Sequence, residues 1–174
     1  MSGTRARDDV RLVEAADGDF ERMLDDGSEV RPGLRVPPGG VDKPFVLAIV
    51  RRIVAELHAA GSRSAWLVVA HGEVVGLCSY RRAPRDGEVE LGYGIAPSRR
   101  GRGYATAAVA LMIDAAARDE NVRRLVAETS VANVASTRVL EANGFEAVER
   151  LVNEEDGEVI RWRRAVPAPA VQSS

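Results

Sequence analysis

The chain holds one cysteine and two histidines in 174 residues, and these shortages close off several chemistries at once. Cys78 has no partner for an internal disulfide, and a lone thiol suits a reducing compartment, so a cytoplasmic protein is expected. His58 and His71 fall near the end of an expected helix and in an expected tight turn. They give no metal-ligand spacing, so no metal is expected. Neither histidine offers Cys78 a base in suitable context, and a buried strand cysteine is the reading for that residue rather than an acyl-carrying nucleophile.

Aromatic residues are also scarce, at 5% of the chain, and the formal net charge is only -2. The one concentrated basic cluster, around Arg99, has no aromatic side chains between its arginines on which bases could stack, so no nucleic-acid partner is expected. No uncharged apolar run reaches the roughly 18 residues of a membrane span. The opening MSGTRARDDVRLVE lacks the apolar centre of a signal peptide, so no membrane partner is expected either. What remains is ordinary for one globular domain: 45% hydrophobic and 29% charged residues, with no internal repeat. We expect a flexible stretch over residues 1–9, a single domain over 10–165 and a disordered tail over 166–174.

Taken in order, Val10 to Ala15 reads as a short strand, and Asp17 as the N-cap of a helix that Gly27 would end. Arg31 to Gly40, with three prolines and three glycines, reads as a surface loop without regular structure. From Pro44 to Ala60, Leu47, Val50, Ile53, Val54 and Leu57 recur at helical spacing, which predicts a core-packing helix with Gly61 beyond its end. Ser64 to Ala70 and Glu73 to Tyr80 form a hairpin around His71-Gly72. A turn over Pro84 to Gly87 then leads to a strand over Val89 to Ile95.

The next stretch is the most informative. SRRGRGYAT, Ser98 to Thr106, lies between that strand and the Ala-rich helical run from Ala105 to Arg118. The first turn of a helix carries amides with no intrahelical acceptor and the positive end of the peptide dipoles, so anions bind there. Gly101 and Gly103 let oxygens approach the backbone, and Arg99, Arg100 and Arg102 add forked donors. A pyrophosphate would suit this turn. A strand over Arg124 to Thr129 follows, then a helix from Asn133 ended by a left-handed cap at Asn143-Gly144. The last elements are a hairpin of Phe145 to Val152 with Val159 to Arg164. Strand-helix alternation starts too late for a doubly wound nucleotide-binding domain, and Thr106 stands where a dinucleotide fingerprint needs its third glycine.

Two blocks, PSRRGRGYATAAVALMIDAA and NVASTRVLEANGF, resemble the GNAT superfamily of acetyl-CoA-dependent N-acetyltransferases, in particular its ribosomal-protein alanine acetyltransferase-like branch. Ser98 departs from the Gln or Arg usual there, and Ala107-Ala108 from a Glu-Ala pair. The resemblance implies an α+β GNAT-like fold. Its central sheet is mixed and mostly antiparallel, of about seven strands, with helices on both faces and a splay between strands four and five. It implies acetyl-CoA as cosubstrate, a primary amine as acceptor, either a protein N-terminus or a small molecule, and a homodimer as one possible assembly.

By the same resemblance, the backbone of Arg100, Gly101, Arg102, Gly103, Tyr104, Ala105 and Thr106 holds the pyrophosphate, while Ile95 and Ala96 pair with the pantetheine amides. Asn133 and Ser136 reach the pantetheine arm or the departing thiol; locally, Asn133 also reads as an N-cap and Ser136 as a plain helix position. The tyrosine that protonates the thiol in other branches is missing from this helix. A protonated amine must lose a proton before or during attack. Glu90 is the first candidate base and Glu128 the second, each with an ion-paired strand carboxylate as the alternative. The competing function is a non-catalytic acyl-CoA-binding regulatory module.

Overall fold

The computed structural model describes residues 9–167. The expected flexible start, except Asp9, and the expected tail from residue 168 lie outside them. Contacts divide the chain into two compact units. The first contains residues up to Ala83 with Gly92–Ala108, and the second contains Pro84–Leu91 with the residues from Val109 onward.

In the first unit, strand β1 (Val10–Glu14) precedes helix α1 (Asp17–Leu24), short strands β2 (Glu29–Arg31) and β3 (Leu34–Arg35), and helix α2 (Pro44–Ala59). Strands β4 (Ala65–Ala70) and β5 (Glu73–Tyr80) follow, with strand β6 (Glu88–Ile95) entering the unit at Gly92. The order is β1-β4-β5-β6. His71 and Gly72 have φ of 51° and 71°, the left-handed pair that a two-residue hairpin turn demands. The core is mainly apolar: Phe20, Leu47, Val54, Leu57, Leu67, Val68 and Val75 are all buried.

Three local expectations change in this unit. Asp17 is the first helical residue rather than the cap. The cap is Ala16, whose amide donates to the Asp19 carboxylate at 2.7 Å. Asp26, with φ 60°, takes the left-handed position after α1, not Gly27. The Arg31 to Gly40 loop is partly strand, because β2 and β3 pair with each other and Arg35 pairs in parallel with Glu73 of β5. Buried Asp19 accounts for the anchoring of this region. It accepts two bonds of 2.6 Å from Arg31, whose guanidinium also donates to the Glu14 carbonyl at 2.7 Å. A buried carboxylate needs such a partner, and α1 is fixed to β2 by this one.

In the second unit the order is β6-β7-β9-β8, with β7 (Arg124–Ser130), β8 (Glu146–Asn153) and β9 (Gly157–Ala165). Helix α3 (Tyr104–Ala117) starts in the first unit and ends here; α4 (Val134–Ala142) belongs here entirely. The parallel ladder between β6 and β7 covers only Glu88–Glu90 against Arg124–Val126, whereas β7 pairs with β9 along its full length. Pairing of the expected fourth and fifth strands therefore stops at Glu90, as the splay requires. Gly144, at φ 75°, caps α4 as expected, with the Phe145 amide returning to the Leu140 carbonyl and the Gly144 amide to that of Glu141. Trp162 is buried and its indole donates to Thr129 at 2.9 Å. The described residues carry nine strands, two more than the sequence suggests, and the additions are β2 and β3.

Candidate active site

The glycine turn begins where β6 ends. Ala96 is fully buried, its amide donating to the Val75 carbonyl at 2.8 Å and its carbonyl accepting from Arg99 at 2.8 Å. Both polar groups of Ala96 thus serve the chain's own structure, and it fixes the direction of the turn. The Ile95 carbonyl accepts from the Arg100 guanidinium at 3.2 Å. A 3-10 turn over Pro97–Arg99 leads to exposed Arg100, Gly101, Arg102 and Gly103. Gly101 has φ 75° and Gly103 φ 81°. Such left-handed residues alternating with ordinary ones turn successive amides toward one side, which makes an anion-binding concavity. Helix α3 starts at Tyr104, so Tyr104, Ala105 and Thr106 form its first turn, and the first helical bond closes from Ala107 to Gly103 at 3.1 Å. Amides of that first turn have no acceptor within the helix.

Of the three arginines expected around the turn, Arg99 is committed elsewhere. Its Nε lies 2.5 Å from Glu73 Oε1 and its Nη2 3.1 Å from Oε2, with both side chains largely buried. This fork ties the turn to the start of β5. It also holds the Glu73 carboxyl below the usual carboxylate range, through the Arg99 hydrogen bonds first; partial burial opposes the shift, and the charges of Arg99, Arg35 and Arg102 reinforce it.

β5 and β6 approach unusually closely beside the turn. A Cβ on Gly76 would stand 2.3 Å from the Gly94 carbonyl oxygen and 2.8 Å from Ile95 Cδ1. Of the glycines in these two strands, Gly76 is therefore the one at which the chain itself leaves no room for a side chain. A Cβ on Gly94 would meet only Asp42 Oδ2, at 3.7 Å, and one on Gly92 only Arg81 and the Ser79 carbonyl, at 3.5 Å or more. These two glycines instead face a cavity of about 250 Å3. Its apolar wall includes Val46, Ile49, Val50 and Ile53 of α2 and Leu77 of β5, and its polar lining includes Asp42, Ser79 and Arg81. The helical periodicity of α2 thus splits into two stripes. Leu47, Val54 and Leu57 are core, while Val50 and Ile53 line the cavity. Cys78 also lines it, but the side chain is buried and burial pushes its thiol up, far from a nucleophilic thiolate.

Asp42 was not among the residues the sequence singles out. Its only signal is that no other carboxylate stands between Glu29 and Glu56. Oδ1 accepts the Lys43 amide at 2.7 Å, which fixes the carboxylate just ahead of the Pro44 start of α2.

The remaining sequence-derived residues lie in the second unit. Glu90 is half-buried on β6 opposite Val126. By alternation, Glu128 shares the face of Val126, and hence of Glu90. Glu128 is exposed and lies opposite Arg161, with Arg161 Nη1 3.9 Å from its Oε1. Arg161 also donates to Glu88 at 3.2 Å, and Arg124 Nε lies 3.0 Å from the other Glu88 oxygen. Glu128 is thus the strand carboxylate beside an arginine that its alternative reading described. Asn133 caps α4, its Oδ1 accepting the Ser136 amide at 3.1 Å, and Ser136 is half-buried in the first turn. No group of three or more metal-ligating side chains occurs among the described residues, and no helix there is long and apolar enough to cross a membrane.

Comparison with known proteins decides the family. The model of the acetyltransferase (GNAT) domain matches residues 10–146, most of the chain. The chain belongs to the GNAT acetyltransferase family. It is accordingly an acetyltransferase with acetyl-CoA as cosubstrate. No curated protein matches it. Among solved structures it is similar to RimL, a ribosomal alpha-N-protein acetyltransferase in complex with coenzyme A, with 21% identity and a TM-score of 0.69 over 91% of this chain and 94% of that one. It is also similar to a spermidine N-acetyltransferase SpeG chimera from Vibrio cholerae and hSSAT, with 16% identity and a TM-score of 0.68 over 90% and 95%. The microcin self immunity acetyltransferase MccE, in complex with acetyl-CoA and AMP, shows 15% identity and a TM-score of 0.68 over 95% and 97%. At these identities the likeness is one of fold.

Proposed function

We propose that the protein transfers the acetyl group of acetyl-CoA directly to a primary amine, and that residues 10–165 act as one acetyltransferase domain. The left-handed geometry of Gly101 and Gly103 at the start of α3 carries this reading. Amides of residues 100–106 would bind the pyrophosphate, with Arg100 and Arg102 adding charge. Arg99 would hold the turn rather than touch the ligand, since Glu73 occupies its fork. Ile95, Asn133 and Ser136 keep the pantetheine and thiol roles that the family pattern gives them; Ala96 shapes the path of the chain beside that arm.

In the reaction, the ammonium gives up a proton to a carboxylate or an ordered water. The nitrogen lone pair then attacks the thioester carbonyl carbon, forming the C–N bond. The tetrahedral intermediate then loses the second proton from its nitrogen and collapses, breaking the C–S bond, and the departing coenzyme A thiolate takes up a proton to leave a neutral amide and a free thiol. Backbone amides near the thioester would stabilise the developing oxyanion. Glu90 is the proposed base and Glu128 the second candidate.

The test is thiol release from acetyl-CoA across a panel of primary amines, with Glu90→Gln and Glu128→Gln run beside the wild type. We expect Glu90→Gln to lower kcat about 100-fold or more, as loss of a general base does, with acetyl-CoA binding retained. Glu128→Gln should change kcat far less. Acetyl-CoA binding with no turnover on any amine would instead favour the regulatory module.

A further inference from the structure

The cavity beside Gly92 and Gly94 has three properties that bear on the acceptor amine. Its size is the first constraint. At about 250 Å3 it is closer in size to an amine with one modest side chain than to a drug-sized ligand, whose pockets run to roughly 300–1,000 Å3.

Its charge is the second constraint. One carboxylate, Asp42, and one guanidinium, Arg81, stand among the lining residues, so the fixed charges sum to zero. A polyamine presents two or more ammonium groups, and with Asp42 as the one carboxylate in the lining at least one of them would face the Arg81 guanidinium without a counter-charge. A single ammonium suits the site. The third constraint is the apolar wall of Val46, Ile49, Val50, Ile53 and Leu77, which is stabilised by covering it with a hydrocarbon side chain and gains nothing from a hydrogen atom in its place.

Asp42 supplies the direction. The Lys43 amide holds Oδ1, and Oδ2 points at the Gly94 edge of β6, 3.7 Å from where a Cβ would be. A side chain at 94 would fill the space in which an ammonium could meet Oδ2. Resting on the acetyltransferase reading above, we infer that the acceptor is a monoamine carrying an apolar side chain, the chemistry shared by a free apolar amino acid and by a peptide starting with one. Asp42 binds its ammonium and the α2 face binds its side chain.

The experiment measures thiol release with acetyl-CoA and five acceptors: leucinamide, leucine, a leucine-initiated tripeptide, glycinamide and spermidine. At least one leucine compound should exceed both glycinamide and spermidine tenfold or more in kcat/KM, and whichever leads distinguishes a peptide from a free amino acid. Asp42→Asn should raise KM for that compound about tenfold with a smaller change in kcat. The rise in melting temperature on adding acetyl-CoA should stay the same, which shows the variant folded. Ile49 is 46% exposed, so Ile49→Asp should fold, and a second carboxylate should shift preference from leucine compounds toward spermidine.

Spermidine or glycinamide matching the leucine compounds in the wild type would overturn the inference while leaving acetyl transfer intact. So would an unchanged KM in Asp42→Asn. No thiol release with any acceptor and no melting rise would instead sink the acetyltransferase reading itself.

Discussion

Gly76 and Gly94 lie next to each other across β5 and β6, yet a methyl group has opposite consequences at the two positions. At Gly76 it would penetrate the Gly94 carbonyl, a backbone atom with no side-chain freedom to move aside. Gly76→Ala should therefore destabilise the protein by about 1–3 kcal/mol, the usual cost of overpacking, as measured by denaturant unfolding. At Gly94 the same methyl meets an ordinary 3.7 Å contact with Asp42, so Gly94→Ala should unfold within about 0.5 kcal/mol of the wild type and raise KM for the amine instead. Equal destabilisation by both changes would contradict this assignment. In the sequence Gly76, Gly92 and Gly94 look alike, each a glycine inside an expected strand. Which of two neighbouring strands carries the steric demand depends on register, and no local pattern encodes register.

At the scale of elements, the glycine turn is held to the start of β5 by Arg99 and Glu73, the two ends of one ion pair spanning 26 positions. The Glu73 carboxyl is held below its ordinary value in the folded protein, so the unfolded chain takes up this proton at higher pH. The stability it contributes is complete above the unfolded carboxylate value of about 4.3 and is lost as pH falls through the lower folded value. The stability difference between wild type and Glu73→Gln should therefore stay constant from pH 8 to 5 and shrink below about pH 4.5, in denaturant titrations. A difference that grew on acidification would contradict the assignment. The pair is invisible in the sequence, where Arg99 looks like one more cation beside the glycines. Local signals fared better: the Asn133 cap and the left-handed Gly144 both involve groups within a few residues of each other, and both form as expected. Proline and glycine density made Arg31 to Gly40 look structureless, because the strand character of Leu34–Arg35 comes from pairing with β5, far along the chain.

For the molecule as a whole, the order of elements and the two family blocks were readable because each rests on short-range pattern: alternation, helical spacing and a glycine turn before a helix. The cavity proposed for the acceptor was not, because its walls are drawn from α2, β5, β6 and the residue before Lys43, and only folding assembles them. The central claim, that the glycine turn receives acetyl-CoA, is tested most directly by thermal unfolding of the purified protein with and without saturating acetyl-CoA, with NADH as control. A ligand at about 100 times its Kd adds roughly 2.7 kcal/mol, which for a chain of this length amounts to a rise of roughly 5–10 °C. The account predicts that rise with acetyl-CoA and none with NADH. A folded protein whose melting temperature acetyl-CoA leaves unchanged would contradict it.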